Sequence, residues 1–379
     1  MIRKLLIVLG LLILTFILFY FIRPKISHAP TVEEERGGQT KLAKEEKKTE
    51  IPALSIESIF DNKIDINNLG ESKVIRLIAT GDVIPARGAN WPAVTSGDFT
   101  YNWKKTADFL KSGDLTLIDL EAPLMKGCPL QTQGFTFCGD ARHVKGILFA
   151  GVDSVSIANN HIGNYAAAGI DETTLILEKN KVGWSGFGHL DIKNVKGVKF
   201  GFLAYNGIGR ELELESIKTE IKNHKSKVDV LIVSIHWGDE YVLVPRNYGS
   251  IAPNDPKKVG PDLIDAGADL IIGNHPHWVQ GVQIYQDKLI TYAHGNFIFD
   301  QTWSKETQEG VVGEYVFYLP DEAQSGVEGA KSGGVKLIDV KYHPILVDSS
   351  YQPKLLSKKS GKHIIDRMLK SSKQIASGR

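Results

Sequence analysis

Two histidines stand two positions apart in segment 273–277, directly behind the mostly apolar run 268–272. Residues i and i+2 of an extended chain project to the same side, so His275 and His277 can face one point in space. Imidazole nitrogens, carboxylates and amide oxygens are the ligands that Mn, Fe or Zn accept at neutral pH. The pair therefore predicts a metal site.

Three further polar clusters also follow short apolar runs. They are Asp82 after 74–80, Asn160 with His161 after 152–157, and His236 at the end of 229–235. Singly, each has an ordinary explanation, because a lone histidine is more often hydrogen-bonded than ligating, and Gly-Asp and Asn-Asn pairs usually form turns. Jointly, polar groups at four strand ends of an open α/β sheet are expected to meet in one crevice. The pattern favours a shared metal centre.

The same segments, in the same order, resemble a known family. The matching stretches are GDVIPAR at 81–87, DLEAPL at 119–124, ANNH at 158–161, HWGDEY at 236–241, GNHPHWVQG at 273–281 and GNFIFDQ at 295–301. They are similar to the motifs of CapA-type poly-γ-glutamate capsule synthesis proteins. That family is similar in fold and site to the calcineurin-like metallophosphoesterases. An ordered set of this kind, from about residue 74 to residue 317, is more specific than any single motif.

The resemblance implies a role for each matched residue. One or two divalent transition metal ions (Mn, Fe or Zn) would be bound by Asp82 and His277 at the first position, by Asn160, His236 and His275 at the second, and by Glu121 between them. His161, beside a ligand but not itself one, would be the general acid that protonates the leaving group. Arg87, Glu240 and Tyr241 would face the substrate.

Four positions depart from what the resemblance implies. Ile84 stands where the wider superfamily has the histidine of Asp-x-His, so the first metal has one protein ligand fewer. Glu121 stands where the phosphoesterases have aspartate, which adds one methylene to the bridging side chain. Asn164 replaces an acidic residue and Ala166 a glycine, which alters the hydrogen bonding expected behind His161.

The N-terminus carries an uninterrupted apolar run at 5–22, preceded by Arg3 and Lys4. Its length is close to the roughly 20 residues that span a bilayer. A cleaved signal peptide is the alternative, but its apolar region is shorter, roughly 7 to 15 residues, and ends in a small-residue cleavage site. We therefore expect a single-pass transmembrane anchor at 1–23 in the cell membrane, with the remainder extracytoplasmic.

Cys128 and Cys138 are the two cysteines of the chain and enclose a hairpin-sized loop. In an exported protein such a pair predicts a disulfide, whereas a cytosolic chain would keep two free thiols. Their spacing is too wide for a Cys-x-x-Cys metal motif. We expect a disulfide, conditional on export.

Composition suggests four regions. Residues 24–73, which follow the anchor, are a linker. Its stretch 31–50 lacks aromatic residues and is expected to be a solvated tether. Its stretch 51–66 is more apolar and can dock on the domain. The CapA-like domain is 74–345. The tail 346–379 is basic and is expected to be a frayed terminus, with contact to anionic lipid or polymer as the alternative. The net charge of +1 argues against nucleic acid as a partner.

The predicted fold class is α/β. Strands and helices alternate through the first half, which favours a layered sheet with helices outside, and strands follow one another from residue 289 onward, which favours an antiparallel second sheet. The resemblance implies a four-layered αββα metallophosphoesterase-like sandwich.

Two functions from different classes fit these residues. The first is a membrane-anchored, metal-dependent hydrolase of poly-γ-glutamate capsule or exopolymer synthesis or export, acting on an anionic polymer or a phosphoester. The second is a non-catalytic capsule-assembly subunit that holds an anionic polymer in the same metal-binding cleft. Either would have the membrane as a partner, and other capsule-synthesis membrane subunits are further expected partners.

Overall fold

The computed structural model describes residues 53–61, 69–320 and 334–378. The α-helices of this part are α1 Ile56–Asp61, α2 Arg87–Ser96, α3 Ala107–Leu110, α4 Val144–Phe149, α5 Ala166–Lys179, α6 Leu214–Lys225, α7 Pro256–Asp265, α8 Lys305–Gln308 and α9 Lys358–Ala376. Short 3-10 helices cover Glu71–Lys73, Tyr101–Trp103, Ala141–His143 and Ile162–Tyr165.

The strands are β1 Val74–Val83, β2 Leu115–Leu120, β3 Leu124–Met125, β4 Gly139–Asp140, β5 Ser154–Ser156, β6 Gly183–Ser185, β7 Asp191–Val195, β8 Val198–Asn206, β9 Val230–His236, β10 Leu270–Asn274, β11 Val282–Tyr285, β12 Lys288–Thr291, β13 Asn296–Ile298, β14 Glu309–Tyr318, β15 Lys336–Val347 and β16 Pro353–Leu355. They form two large sheets and the small β3–β4 pair.

The first sheet has the order β16-β15-β14-β1-β2-β5-β6, with β13 also paired to β1. Its β1, β2, β5 and β6 run parallel, as expected where helical segments connect successive strands. On the other side of β1, the strands β14, β15 and β16 are antiparallel to their neighbours. The late strands of the chain therefore extend the first sheet.

The second sheet has the order β11-β12-β10-β9-β8-β7. Strands β8, β9, β10 and β12 are parallel, and only the edge strands β7 and β11 are antiparallel. The prediction of an antiparallel second sheet is wrong. Helices α6 and α7 make crossover connections from β8 to β9 and from β9 to β10, and such connections return the chain parallel to itself.

Apolar side chains on alternate faces of β1 separate the layers. Leu77 of β1 packs between the sheets with Phe202 of β8 and Ile232 of β9. Ile78, one residue further, faces the opposite side, where Leu110 of α3 and other helical residues cover it. On the far face of the second sheet, α6 and α7 pack over β9 and β10. The layers are thus helix, sheet, sheet and helix, as the resemblance implied.

The C-terminal segment forms helix α9 and is not a frayed terminus. Ile364 and Met368, one turn apart, are buried in the core between the sheets. The carboxylate of Glu309 pairs with His363 and with Arg367, whose Nη1 lies 2.9 Å from Oε2. An amphipathic helix can keep its lysines in solvent while its apolar stripe packs, so a count of basic residues does not reveal the docking.

At the other end, helix α1 buries Ile59, so the apolar part of the predicted linker docks on the domain as expected. The predicted anchor 5–22 and the tether 31–50 lie outside the described residues. Within 53–61, 69–320 and 334–378, no helix combines the length and apolar character needed to cross a membrane.

Candidate metal centre

Strand register brings polar residues of the first sheet together. Asp82 of β1 lies opposite Asp119 of β2 on one side and opposite Asn296 of β13 on the other. In the second sheet, His236 at the end of β9 lies opposite Asn274 at the end of β10. These five strands lead to one edge of the molecule because their carboxyl ends point the same way, which is where ligands bind in open α/β sheets.

Two glycines allow the backbones around this edge to approach closely. A Cβ on Gly81 would lie 1.8 Å from the carbonyl oxygen of Gly295, and a Cβ on Gly273 would lie 2.1 Å from that of Tyr292. The amide of Asp82 donates to the Gly295 oxygen at 3.0 Å. Any larger residue at these glycines would push Asp82 or the histidine loop away from the site.

The second sheet contributes three buried imidazoles that meet the carboxylates of the first. His236 Nε2 lies 3.3 Å from Glu121 Oε1 and 3.1 Å from His275 Nδ1. His277 Nδ1 lies 2.9 Å from Asp82 Oδ2. The predicted ligands Asp82, Glu121, His236, His275 and His277 are therefore brought together across the two sheets.

Several polar atoms at this point are buried without a hydrogen-bond partner among the described residues. They are both carboxylate oxygens of Glu121, Oδ1 of Asn160 and Nε2 of His275. Burying a polar atom without a hydrogen-bond partner costs free energy of folding, and a bound ion is one way in which such atoms are satisfied. A set of imidazoles, carboxylates and an amide oxygen suits a divalent transition metal, so the residues fit the group that the sequence implies.

The two asparagines of the Asn-Asn-His segment differ in what they bind. Asn159 Oδ1 accepts hydrogen bonds from the amides of His161 and Ile162, and its Nδ2 donates to the Leu120 oxygen. The side chain of Asn159 therefore stabilises the turn. Asn160 keeps its amide oxygen available, which supports the predicted ligand role of Asn160 over its neighbour.

The pKa values of the cluster reflect burial and mutual charge. Burial raises the pKa of Glu121 to about 7. Burial opposes protonation of His277, yet the charge of Glu121 and the hydrogen bond with Asp82 raise its pKa to about 9. His236, beside Glu121 and Asp119, likewise has a pKa raised well above its ordinary value in spite of burial. Burial and the neighbouring imidazoles hold the pKa of His275 well below its usual range.

Four residues around the site have a strained backbone. His275, His277, Tyr241 and Arg87 have φ of 99°, 56°, 58° and 48°, in the left-handed region that favours glycine. Non-glycine residues keep such conformations only where the surroundings enforce them, and such residues cluster at functional sites. The strain is consistent with side chains held in position for a ligand.

His161 lies at the rim of the cluster, with Nε2 3.9 Å from Glu121 Oε1. Its Nδ1 is 3.1 Å from Asn164 Oδ1, an oxygen that also accepts the Phe137 amide at 2.6 Å. Since an amide oxygen only accepts, Nδ1 must carry the proton and Nε2 its lone pair. Burial lowers the pKa of His161 to about 4, so it is neutral near pH 7.

The Cys128–Cys138 disulfide is present and closes a loop that reaches His161. Phe137, next to Cys138, places its ring centroid 4.1 Å from that of His161. The Arg87 guanidinium lies 4.8 Å from the centre of the Phe137 ring, pairs with Asp300 and donates to the Gly134 oxygen. Arg87 thus links the loop to the domain, and its contact with substrate stays a prediction.

Glu240 and Tyr241 lie on the loop after β9. Glu240 is partly exposed beside His275 and His277. The Tyr241 ring stacks at 5.9 Å from that of His277, and its hydroxyl accepts a hydrogen bond from Gln301. Trp303, which is largely exposed, meets Tyr241 edge to face. These residues form an aromatic and acidic rim on the second-sheet side.

Sequence reasoning missed Asp119 and Asn296. Asp119 Oδ2 lies 3.3 Å from His236 Nδ1, and burial raises the pKa of this carboxyl. Asn296 Oδ1 lies 2.9 Å from His277 Nδ1. Asp119 Oδ2 faces the nitrogen of His236 opposite Nε2, and Asn296 Oδ1 shares His277 Nδ1 with Asp82. Oxygens commonly hold ligating histidines in this way. The i, i+2 spacing of Asp119 and Glu121 was a signal that could have identified Asp119.

Comparison with known proteins assigns the family. Residues 76–301 match the model described as "Bacterial capsule synthesis protein PGA_cap". The chain belongs to this family. Relatives of this PGA_cap protein include "Capsule biosynthesis protein CapA" of Bacillus anthracis, 25% identical over 345 residues that cover 79% of this chain and 81% of that protein. "PGA biosynthesis protein CapA" of Bacillus subtilis (strain 168) is 27% identical over 177 residues, 41% of this chain and 44% of that protein. The predicted resemblance is confirmed.

Two solved structures are among those similar to this PGA_cap protein. A novel phosphatase from Mycoplasma pneumoniae has a TM-score of 0.42 and 12% identity, covering 72% of this chain and 94% of that one. A putative 5'-nucleotidase from Staphylococcus aureus has a TM-score of 0.42 and 13% identity, covering 78% of this chain and 58% of that one.

Proposed function

We propose that this PGA_cap protein is a membrane-anchored, metal-dependent hydrolase of capsule or exopolymer synthesis, acting outside the cytoplasm on a phosphoester or an anionic polymer. The observation that carries the proposal is the set of buried, unpartnered ligand atoms of Glu121, Asn160 and His275. Family membership supports the capsule role, and the six predicted ligands support the metal. One or two Mn, Fe or Zn ions, when bound, would supply Lewis acidity toward the scissile group.

The ligands would be Asp82, Glu121, Asn160, His236, His275 and His277. Asp119 and Asn296 would fix the rings of His236 and His277 from behind, since each lies against an Nδ1 atom. A ring that is held from behind cannot rotate freely, so its ligand nitrogen stays directed at the position of the metal.

His161 is the residue placed to move a proton. Its Nε2 holds a lone pair and faces the cluster, so at neutral pH it accepts a proton from the attacking water and then donates that proton to the leaving group. Asn164 keeps Nδ1 protonated and the ring oriented through this exchange. The predicted general-acid step therefore follows a proton-acceptor step at the same atom.

The disulfide and the predicted anchor support placement outside the cytoplasm. Disulfides persist in oxidising compartments, and the Cys128–Cys138 bridge needs such a compartment to form. Protease added to cells stripped of their wall should degrade the domain if this placement is right. Full protection of the domain would instead place it inside.

The alternative is a capsule-assembly subunit that holds an anionic polymer without cleaving it. One observation favours it: His161 has a pKa of about 4 and is paired with an amide, so it does not hold a transferable proton at rest. The other capsule-synthesis membrane subunits expected from sequence would be its partners.

The test compares full-length protein in detergent with the variant His161→Gln. Metal content is measured after dialysis, and turnover is measured on a phosphomonoester, a phosphodiester and γ-linked glutamate oligomers. We expect equal metal in both proteins and turnover lower by roughly 10²- to 10⁴-fold in the variant. Polymer binding without turnover in either protein would leave the holding role.

A further inference from the structure

The side chain of Glu240 points at two of the buried histidines. Its Oε1 lies 3.9 Å from His275 Nε2 and 3.9 Å from His277 Nε2. One ligand atom from each of Glu240, His275 and His277 lies within 4.8 Å of the other two, and His275 also belongs to the group with Glu121 and His236. Glu240 is 39% exposed at its side chain, whereas both imidazoles are almost fully buried.

The backbone, and not the carboxylate, holds this loop against the histidines. The amide of Tyr241 donates to the Pro276 oxygen at 2.9 Å, between the two imidazoles in sequence. Tyr241, His275 and His277 all have φ in the left-handed region, so the backbone of both loops at this contact is conformationally restricted. Glu240 is thereby presented to the two Nε2 atoms with its carboxylate free to take a ligand position.

The orientation of His277 leaves Nε2 for this purpose. Its Nδ1 lies 2.9 Å from both Asp82 Oδ2 and Asn296 Oδ1. Ligating histidines usually donate the hydrogen of one nitrogen to a carboxylate or carbonyl oxygen and bind the metal with the other. Nδ1 is engaged in that manner, so the nitrogen that faces Glu240 is the one able to ligate.

On the first-sheet side, Asp82 and Asn296 present their oxygens to Nδ1 of His277. Ile84, two residues beyond Asp82, is fully buried in an apolar cluster with Ala86, Ala122, Phe137 and Phe299. A ligand that completes the coordination around His277 must therefore come from the second-sheet side, where Glu240 lies.

We propose that Glu240 is a metal ligand, shared with Nε2 of His277, and not a substrate contact. The inference rests on the metal centre of the proposed function and adds Glu240 to it. It places Asp82, which contacts Nδ1 of His277, with Glu121 and His236 and not on the ion at Nε2. Ligands about 2.0–2.2 Å from one ion cannot be more than about 4.4 Å apart, and the observed 3.9 Å separations meet this limit. The adjacent carboxylate, Asp239, is already bound by Arg246 Nε at 2.9 Å and faces away.

The test measures metal binding directly, without reference to turnover. Full-length protein in detergent is stripped with a chelator, and the affinity and stoichiometry for Mn²⁺ and Zn²⁺ are measured by chelator competition. Glu240→Gln removes the anionic ligand while keeping the size of the side chain. Asp239→Asn removes the same charge one residue away and is the matched control.

We expect Glu240→Gln to lose one ion, or to bind it at least about tenfold more weakly, while Asp239→Asn binds as the native protein does. Native affinity and stoichiometry in Glu240→Gln would overturn the proposal, and so would equal losses in the two variants, which would indicate a general charge effect. Circular dichroism and the intact disulfide confirm that each variant is folded. If the native protein binds neither ion, the proposed metal centre itself is wrong. That result differs from native binding in Glu240→Gln, which contradicts only the role of Glu240.

Discussion

The two sheets contribute different chemistry to one site. The first sheet carries the predicted oxygen ligands, Asp82, Glu121 and Asn160, and the second carries the predicted nitrogen ligands, His236, His275 and His277. Glu121 of the first sheet comes within reach of one ion together with His236 and His275 of the second. The ligands meet because apolar faces of both sheets pack together, as at Leu77 and Phe202. The site therefore depends on the sandwich as a whole.

The sheets also differ in how they support their ligands. The imidazoles of the second sheet are fixed by oxygens of the first, since Asp119 lies behind His236 and Asn296 behind His277. His161, on the first-sheet side, is held by a separate element, the disulfide loop. Metal binding and proton transfer should therefore be separable by mutation.

The largest effect is expected when one ligand is removed from either sheet. His236→Ala and Glu121→Gln should each abolish metal retention after dialysis, because each leaves an incomplete set, and metal analysis measures this. His143→Asn is the control, since His143 is buried outside the cluster and hydrogen-bonds Asn90 at 2.7 Å. Full metal content in Glu121→Gln would mean that the three imidazoles retain the metal by themselves and that the site does not depend on both sheets.

A smaller loss is expected for the carboxylate behind His236. Asp119→Asn keeps the shape of the side chain but removes the charge beside Nδ1, and metal affinity should fall by roughly 10- to 100-fold. Asp153→Asn is the matched control, because Asp153 caps the Thr116 amide at 2.8 Å on the neighbouring strand. Unchanged affinity in Asp119→Asn would remove this residue from the site.

Metal binding should release protons at neutral pH. His277, with a pKa of about 9, is protonated in the metal-free protein, and Glu121, with a pKa of about 7, is partly protonated. His236, whose pKa is raised well above its ordinary value, also carries a proton that a metal must displace. Affinity should therefore rise with pH through the neutral range, about tenfold per unit for each proton released, and less steeply once Glu121 and His277 are deprotonated. Calorimetry in two buffers of different ionisation enthalpy measures the release. A binding enthalpy independent of buffer at pH 7 would contradict the assignment.

The smallest effect on the site is expected from the disulfide loop. Replacing Cys128→Ser and Cys138→Ser together should lower the unfolding free energy by about 2 to 3 kcal/mol. Metal content should persist, and turnover should fall about tenfold because Phe137 no longer fixes the His161 ring. Phe137→Leu keeps the bridge and should reproduce the loss of turnover. Equal turnover in the native protein and both variants would show that the disulfide loop does not position His161.

Much of the fold followed from local pattern. Periodicity and flanking polar residues mark the helix Ala166–Lys179 and the strand Leu115–Leu120 in the sequence itself. The pairing of β14 with β1, and so the identity of the extended sheet, was not predictable. A succession of strands fixes neither the sheet that they join nor the direction of their partners.

The C-terminal helix shows the same limit at a single element. Its basic residues suggested a solvated end, yet Ile364 and Met368 are buried and Ser371 accepts a hydrogen bond from the Gly281 amide at 2.9 Å. The apolar stripe was present in the sequence. Only the surface offered by β11 and β15 decided that the stripe would pack.

By itself, the sequence determined which residue types stand at the strand ends, because two-residue spacing and apolar runs are local properties of the chain. It thereby identified the ligand candidates Asp82, Asn160, His236, His275 and His277 and the Cys128–Cys138 pair, while Glu121 followed from the resemblance to the family. Tertiary structure alone decided that Asp119 and Asn296 stand behind histidines, that Glu240 reaches two Nε2 atoms, and that Arg87 is bound by Asp300. Those contacts join residues that are distant in sequence, and only the packing of one sheet or loop on another sets their distances.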